Sequence, residues 1–259
     1  MPANEESRAL WGVDPVPPAL ADDTLVLVPA RGGSKGIPRK NVRPLDGRPL
    51  IAHTLEHARA AGLSRVVLST EDDEIATLGE QLGFELPFRR PTELAADETP
   101  TLDVLLHALA ALRELGDPRG QAGFVLLLQP TAPLRDPRWI RRAFELLADP
   151  DADAAMTVLP VPCEHHPEWV YLRAEDGALR LFSGAEQPPP RRQDLAPAFH
   201  REGSVYLVRR RVLEESRSLY GRRTLGIEVP RERSINLDDE DDWRRAERWF
   251  QTREVQGAP

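Results

Sequence analysis

Apolar residues recur along this chain at two spacings, and the switches between them predict alternating strands and helices. Thr24–Ala30 (TLVLVPA) is a continuous apolar run of the kind buried on both faces of a parallel sheet. From Leu50 to Ala61 the spacing turns helical, with Leu50, Ile51, Thr54, Leu55 and Ala58 on one face. Arg65–Thr70 reads as a second strand and Asp72–Leu82 as a second helix, its first turn acidic as the helix dipole favours. A helix from about Leu102 to Leu115, a buried strand at Phe124–Gln129 and a helix over Pro137–Ala148 follow. Units of this size predict a right-handed, doubly wound, mostly parallel α/β sheet.

From Ala154 the pattern changes. AAMTVLPV, WVYLRA, GSVYLVRR and TLGIEVP read as strands, the third passing into a short helix that ends near Leu219. Gly184–Pro197 is irregular around PPPRRQ, and a final helix runs from Asp239 to about Arg253, acids first and arginines later. The expected organisation is a flexible arm over residues 1–23, where Pro, Asp and Glu show no periodicity. One α/β domain follows over 24–253, with an inserted β-rich lobe near 160–230, and a tail over 254–259.

Composition narrows the function. The chain has 259 residues, 41% hydrophobic and 29% charged, enough for one large α/β domain and too apolar for disorder throughout. A net charge of −8 argues against a nucleic-acid surface. No apolar run is long enough to span a membrane, and the N-terminus lacks the basic and apolar regions of a secretory signal, so a cytoplasmic protein is expected. The single cysteine, Cys163, excludes an internal disulfide and is expected to be a small buried residue. His165 and His166 are adjacent, so on a strand they would point to opposite faces and not line one site, and no partners at zinc-ligand spacing accompany them. His53, His57 and His107 fall in predicted helices as packing or surface residues.

The candidate chemistry begins with the basic residues. Of 34 Lys plus Arg only two are lysines, and both, Lys35 and Lys40, lie in RGGSKGIPRKN. A compact, strongly hydrated ammonium is not interchangeable with a planar guanidinium, so the pair marks a site. The segment follows the first strand, where open α/β sheets bind ligands. Gly32, Gly33 and Gly36 let the backbone turn tightly and aim N–H groups at an oxyanion, and Arg31, Lys35, Arg39 and Lys40 bring the charge to hold a triphosphate. Neither a Walker loop nor a dinucleotide fingerprint is present. The alternative is an ordinary basic surface turn.

LVPARGGSKGIPRKN resembles the signature loop of the cytidylyltransferases that activate sialic acids and related nonulosonic acids as CMP-sugars. The resemblance continues through STEDDEIA, RRPTELAADETPT, QPTAPLR, EHHP, RRQDLAPAF and SINLDDEDDW, and so covers residues 24–250. The related enzymes that activate 3-deoxy-manno-octulosonate share that fold but carry a different glycine loop. The resemblance implies a Rossmann-like nucleotidyltransferase, with CTP and a sugar acid as substrates and a homodimer whose lobe reaches the partner's cleft. It places Arg31 and Lys40 on the triphosphate as catalytic cations. Ala30, Gly32, Gly33 and Ser34 line the same cradle. Asn41, Arg90 and the Ala95–Thr99 segment, with Asp97 and Thr99, surround base and ribose. Gln129, Thr131, Arg192 and Tyr206 fall on the sugar side. A further hydrolase domain, which some relatives carry, is not expected at this length.

The resemblance also implies Mg²⁺, held by an Asp-Ile-Asp stretch that reads Asn236-Leu237-Asp238 here. An amide oxygen coordinates without charge, so a weaker site on Asp238 and Asn236 is expected, with the remaining acids as helix cap and surface. Further departures are His200 where sialic-acid enzymes have arginine, Glu202-Gly203-Ser204 for Asn-Gly-Ala, and Trp169 where some members have lysine. They leave the acceptor sugar open. Two other readings follow: a nucleotidyltransferase using GTP or another nucleotide with a sugar phosphate, and a nucleotide-binding protein that has lost catalysis.

Overall fold

The computed structural model describes residues 11–256. A six-stranded sheet forms the centre, built in chain order from β1 (Thr24–Pro29), β2 (Val66–Ser69), β3 (Phe124–Leu127), β4 (Ala154–Pro160), β7 (Phe199–Arg209) and β8 (Thr224–Glu228). A separate two-stranded ribbon pairs β5 (Tyr171–Arg173) with β6 (Leu179–Leu181). The order across the sheet is β8-β4-β7-β3-β1-β2. β1 pairs in parallel with β2 and β3, β4 pairs in parallel with β8, and β7 alone runs antiparallel, between β3 and β4. The mostly parallel, Rossmann-like sheet is the one the apolar pattern predicts.

Every residue of β1 but its last is buried, as are all of β2 and β3, because helices cover both faces. The helices are α1 (Pro18–Asp22), α2 (Leu50–Ala60), α3 (Asp73–Leu82), α4 (Thr101–Glu114), α5 (Pro137–Leu146), α6 (Arg210–Glu215) and α7 (Glu240–Gln256). Their ends follow local chemistry. The Asp72 carboxylate accepts the Ile75 amide at 2.9 Å to cap α3, and Asp136 accepts the Arg138 amide at 2.9 Å to cap α5. Asp239 accepts the amides of Asp241 and Asp242 at 2.9 and 3.0 Å, so much of the acidic run is a helix start. α7 continues past Arg253 to Gln256, so part of the expected tail is helix.

A third apolar cluster, separate from those on the two sheet faces, joins Ile37, Leu45 and Leu50 to Leu134, Ile235, Leu237, Trp243 and Phe250. It fastens the segment before α7 onto the glycine loop. Where β7 crosses β4, the register shifts between Met156 and Val158, a bulge that displaces residues 202–205. Gly203 there has φ 111° and packs on Asn236, whose side chain would lie 3.1 Å from a Cβ.

Several expectations differ from the structure. Residues 1–10 lie outside the described part of the expected arm, but residues 11–23 pack against the domain: Val13 and Val16 are buried, and the Val16 amide donates to the Ala61 carbonyl at 2.8 Å. Of the expected lobe at 160–230, β7 and β8 belong to the central sheet, because their apolar faces complete it. Residues 161–198 remain outside. His165 and His166 occupy a turn, where the buried His166 ring bonds the Ala196 carbonyl at 2.8 Å. Cys163 is exposed, because it opens that turn beyond the sheet edge. Among the described residues no helix is long and apolar enough to cross a membrane.

Candidate active site

The chain leaves β1 toward one side of the sheet and β3 toward the other, and a crevice opens beyond their carboxyl ends. Two adjoining cavities fill it. The first, of about 380 Å³, is walled by the glycine loop, the Leu94–Thr101 segment and Gln129–Thr131. The second, of about 480 Å³, is walled by the β7 bulge, Leu219, Tyr220 and Asn236. Thr101, Gln129, Thr131 and Asp238 belong to both.

In the first cavity four cations converge. Arg31 pairs with Asp97 at 2.6 Å, and the exposed Lys35 ammonium bonds the same carboxylate. The Lys35 hydrogen bond, with the Arg31 charge, holds the Asp97 carboxyl below its ordinary pKa. Lys40 donates to the Leu237 carbonyl at 2.6 Å. Burial pushes its pKa down, and Asp238 opposes that shift. Arg90 donates through Nε to Ser69 Oγ at 3.1 Å and through Nη2 to the Ser69 carbonyl. The buried Asn41 donates to the Arg31 carbonyl at 2.9 Å and ties the ends of the loop together. Gly36 is needed where it stands, since any Cβ would collide with the Asp238 carbonyl.

The loop is not a simple amide cradle. The Gly32 amide donates to Glu71 at 2.7 Å, so of Gly32, Gly33 and Ser34 only Ser34 walls the cavity. Ala30 is buried at the strand end, its amide on the Ser69 carbonyl. Thr99 walls the cavity and bonds the Glu93 carbonyl at 3.3 Å.

The second cavity is walled by Gln129, Thr131 and Tyr206, expected on the sugar side, and by Asn236 and Asp238, expected at a metal ion. Burial raises the Tyr206 pKa, so its hydroxyl stays a donor. Asn236 donates to the Glu202 carbonyl at 2.6 Å, leaving its amide oxygen as the atom for a cation. Arg192 is not brought here: it lies exposed on a turn within 161–198 and walls neither cavity.

Two arginines escaped the sequence reading. Arg135 is fully buried behind the shared wall, where Nη2 donates to the Gln129 carbonyl and Nε to the Ser204 carbonyl, each at 2.6 Å. Burial pushes its pKa down to about 10. An arginine inside the apolar PTAPLR turn was the available signal. Arg201, at the second cavity, had none, since its neighbours on an exposed strand end are also polar.

The donor set for a divalent cation is sparse. Among the described residues no three His, Cys, Asp or Glu side chains gather into a cage. One carboxylate and one amide oxygen suit an ion that keeps most of its shell as water and substrate oxygens, as Mg²⁺ does.

A family profile described as Cytidylyltransferase matches residues 25–220. The chain is 31% identical over 229 residues to CMP-N,N'-diacetyllegionaminic acid synthase of Legionella pneumophila, covering 85% of this chain and 92% of that protein. It is 30% identical over 222 residues to N-acylneuraminate cytidylyltransferase of Streptococcus agalactiae, covering 85% of this chain but only 51% of that longer protein. A solved structure of CMP:2-keto-3-deoxy-manno-octonic acid synthetase complexed with CTP superposes with a TM-score of 0.63 at 20% identity, over 88% of this chain and 98% of that one, and supports the fold.

Proposed function

The chain belongs to the cytidylyltransferase family, and from that premise we propose that it transfers CMP from CTP to the anomeric hydroxyl of a sialic-acid-like sugar acid. The observation that carries this reading is the shared wall: a cationic cavity for a triphosphate opens directly into a second, less charged one. The acceptor oxygen attacks the α-phosphorus in line, the bond to the β-phosphate breaks, and pyrophosphate leaves. Arg31, Lys35 and Lys40 neutralise charge on the triphosphate as it redistributes. Arg90 and Asn41 fix the walls beside the nucleoside, and Gln129, Thr131 and Tyr206 orient the acceptor.

Asp238 and Asn236 would hold Mg²⁺, which supplies charge neutralisation at the phosphates. Asn236→Asp is expected to lower the Mg²⁺ concentration giving half-maximal rate, and to tighten Mn²⁺ binding followed by electron paramagnetic resonance. Unchanged binding would remove residue 236 from the site.

A homodimer in the cytoplasm completes the reading. Tyr171 and Leu179 are exposed on one face of the β5–β6 ribbon, and Leu172 and Phe182 on or beside the other, apolar surface that a second copy would cover. Arg192, on the same segment, would then reach the partner's cleft. Light scattering behind size exclusion should give twice the chain mass.

The deciding experiment is pyrophosphate release with Mg²⁺, crossing the four nucleoside triphosphates with nonulosonic acids and sugar 1-phosphates. Release with CTP and one sugar acid is expected. Release with GTP and a sugar phosphate would replace the reading, and nucleotide binding without release under any combination would refute transfer.

A further inference from the structure

The acceptor cavity holds one cation among its described lining residues, and it is none of those the resemblance assigned. Arg201 stands on β7 just before the bulge, and its Nη1 donates to the Tyr220 hydroxyl at 3.2 Å. Its neighbour His200 is exposed, directs Nδ1 to the Arg201 carbonyl at 3.1 Å and does not wall the cavity. The other cleft arginines and lysines are already engaged: Arg31 and Lys35 by Asp97, Lys40 by a carbonyl, Arg90 by Ser69. Arg201 makes no carboxylate pair among the described residues. The nearest acid in sequence, Glu202, is turned inward, its two oxygens accepting the Ser204 amide at 2.9 Å and hydroxyl at 2.8 Å.

We propose that Arg201 is the anchor for the anionic group of the acceptor, with Tyr220 holding the guanidinium in position. The assignment rests on the transfer reaction proposed above. A planar fork matches a carboxylate through two parallel hydrogen bonds. One guanidinium balances a carboxylate, whereas a dianionic phosphate would carry excess charge in a cavity whose wall already includes Asp238. The acceptor class that fits is a sugar acid.

The test uses the full chain with CTP and Mg²⁺. The probes are N-acetylneuraminate, N,N'-diacetyllegionaminate and 3-deoxy-manno-octulosonate, each as free acid and methyl ester, and glucose 1-phosphate. Arg201→Gln is expected to raise KM for the accepted acid about 10- to 100-fold, the span for one charge-assisted interaction. KM for CTP should stay within about twofold, and the preference for acid over ester should collapse. Arg201→Lys should fall between, and decides the question on the same ratio if the glutamine variant does not fold. Tyr220→Phe should raise the same KM less and keep the preference.

Turnover with an acid-to-ester ratio unchanged in Arg201→Gln overturns the anchor and leaves the reaction standing. No release from the wild type with any of the three acids overturns the reaction, and the anchor falls with it. Turnover with glucose 1-phosphate alone overturns the carboxylate assignment.

Discussion

The two cavities that meet at Asp238 are walled by chain of different kinds. The side proposed for the nucleotide draws Arg31, Lys35 and Lys40 from one loop, whose ends Asn41 ties together. Its cations are balanced from within the protein by Asp97 and by carbonyls. The side proposed for the acceptor is assembled from the β7 bulge, the chain beyond α6 and the segment before α7, with a single cation among its described lining residues. A triphosphate presents the same charge in every turnover, so a rigid, densely charged loop suits it. An acceptor pocket built from separate pieces lets one strand end change without disturbing the phosphates.

The sharpest way to break this comparison is at Lys40, the loop cation that bonds the segment before α7. Lys40→Ala should lower kcat about 10²–10³-fold, as for loss of one preorganised transition-state donor, with circular dichroism unchanged. Lys40→Arg should not restore the rate, because a fork does not replace a point charge on the Leu237 carbonyl. A near-normal rate in either variant would separate the loop from the chemistry.

Arg135 tests whether the shared wall is a structural joint. Arg135→Leu leaves the Gln129 and Ser204 carbonyls without their donor and should cost about 2–4 kcal/mol of stability. Denaturant unfolding measures that, and KM should rise for both substrates. A loss confined to the acceptor would assign Arg135 to that side alone.

The nucleotide side was the more legible of the two. Its residues are contiguous, and an arginine-rich composition makes two lysines visible. The sheet was legible because buried parallel strands are continuous apolar runs. The acceptor side depended on a bulge that shifts the β4–β7 register, and a bulge leaves no hydrophobic signature. That is why Arg201 escaped notice while Arg192, in a recognisable motif, was assigned a place it does not occupy within one chain. The packed residues 11–23 were missed because Val13 and Val16 are too few to set a period.

Acid should loosen the support of the nucleotide side. Burial holds the His57 pKa well below 6.5 and lowers that of His53, whose ring bonds the Leu45 carbonyl beyond the glycine loop at 2.8 Å. The folded state therefore binds fewer protons than the unfolded chain. Stability is full above pH 6.5 and falls as acid protonates the unfolded histidines. His57, fully buried, is the larger contributor, and stability keeps falling with acid for as long as its ring stays neutral in the folded state. His57→Gln should flatten the pH dependence of urea unfolding. An unchanged slope would mean that the His57 ring takes up its proton without opening the fold.

Asp97 gives the smallest effect, and its sign separates two accounts of the same residue. The family resemblance places it beside base and ribose, where its loss would weaken CTP. The geometry instead sets its carboxylate on Arg31 and Lys35, where a phosphate oxygen would have to displace it. On that account Asp97→Asn frees both cations and lowers KM for CTP about two- to fivefold, a modest change because the pairs are partly exposed. Added salt should narrow the difference from wild type, since screening weakens the same pairs. A higher KM in Asp97→Asn would return the residue to the nucleoside. It would also mean that the nucleotide side does not hold its own charges in balance before the triphosphate arrives.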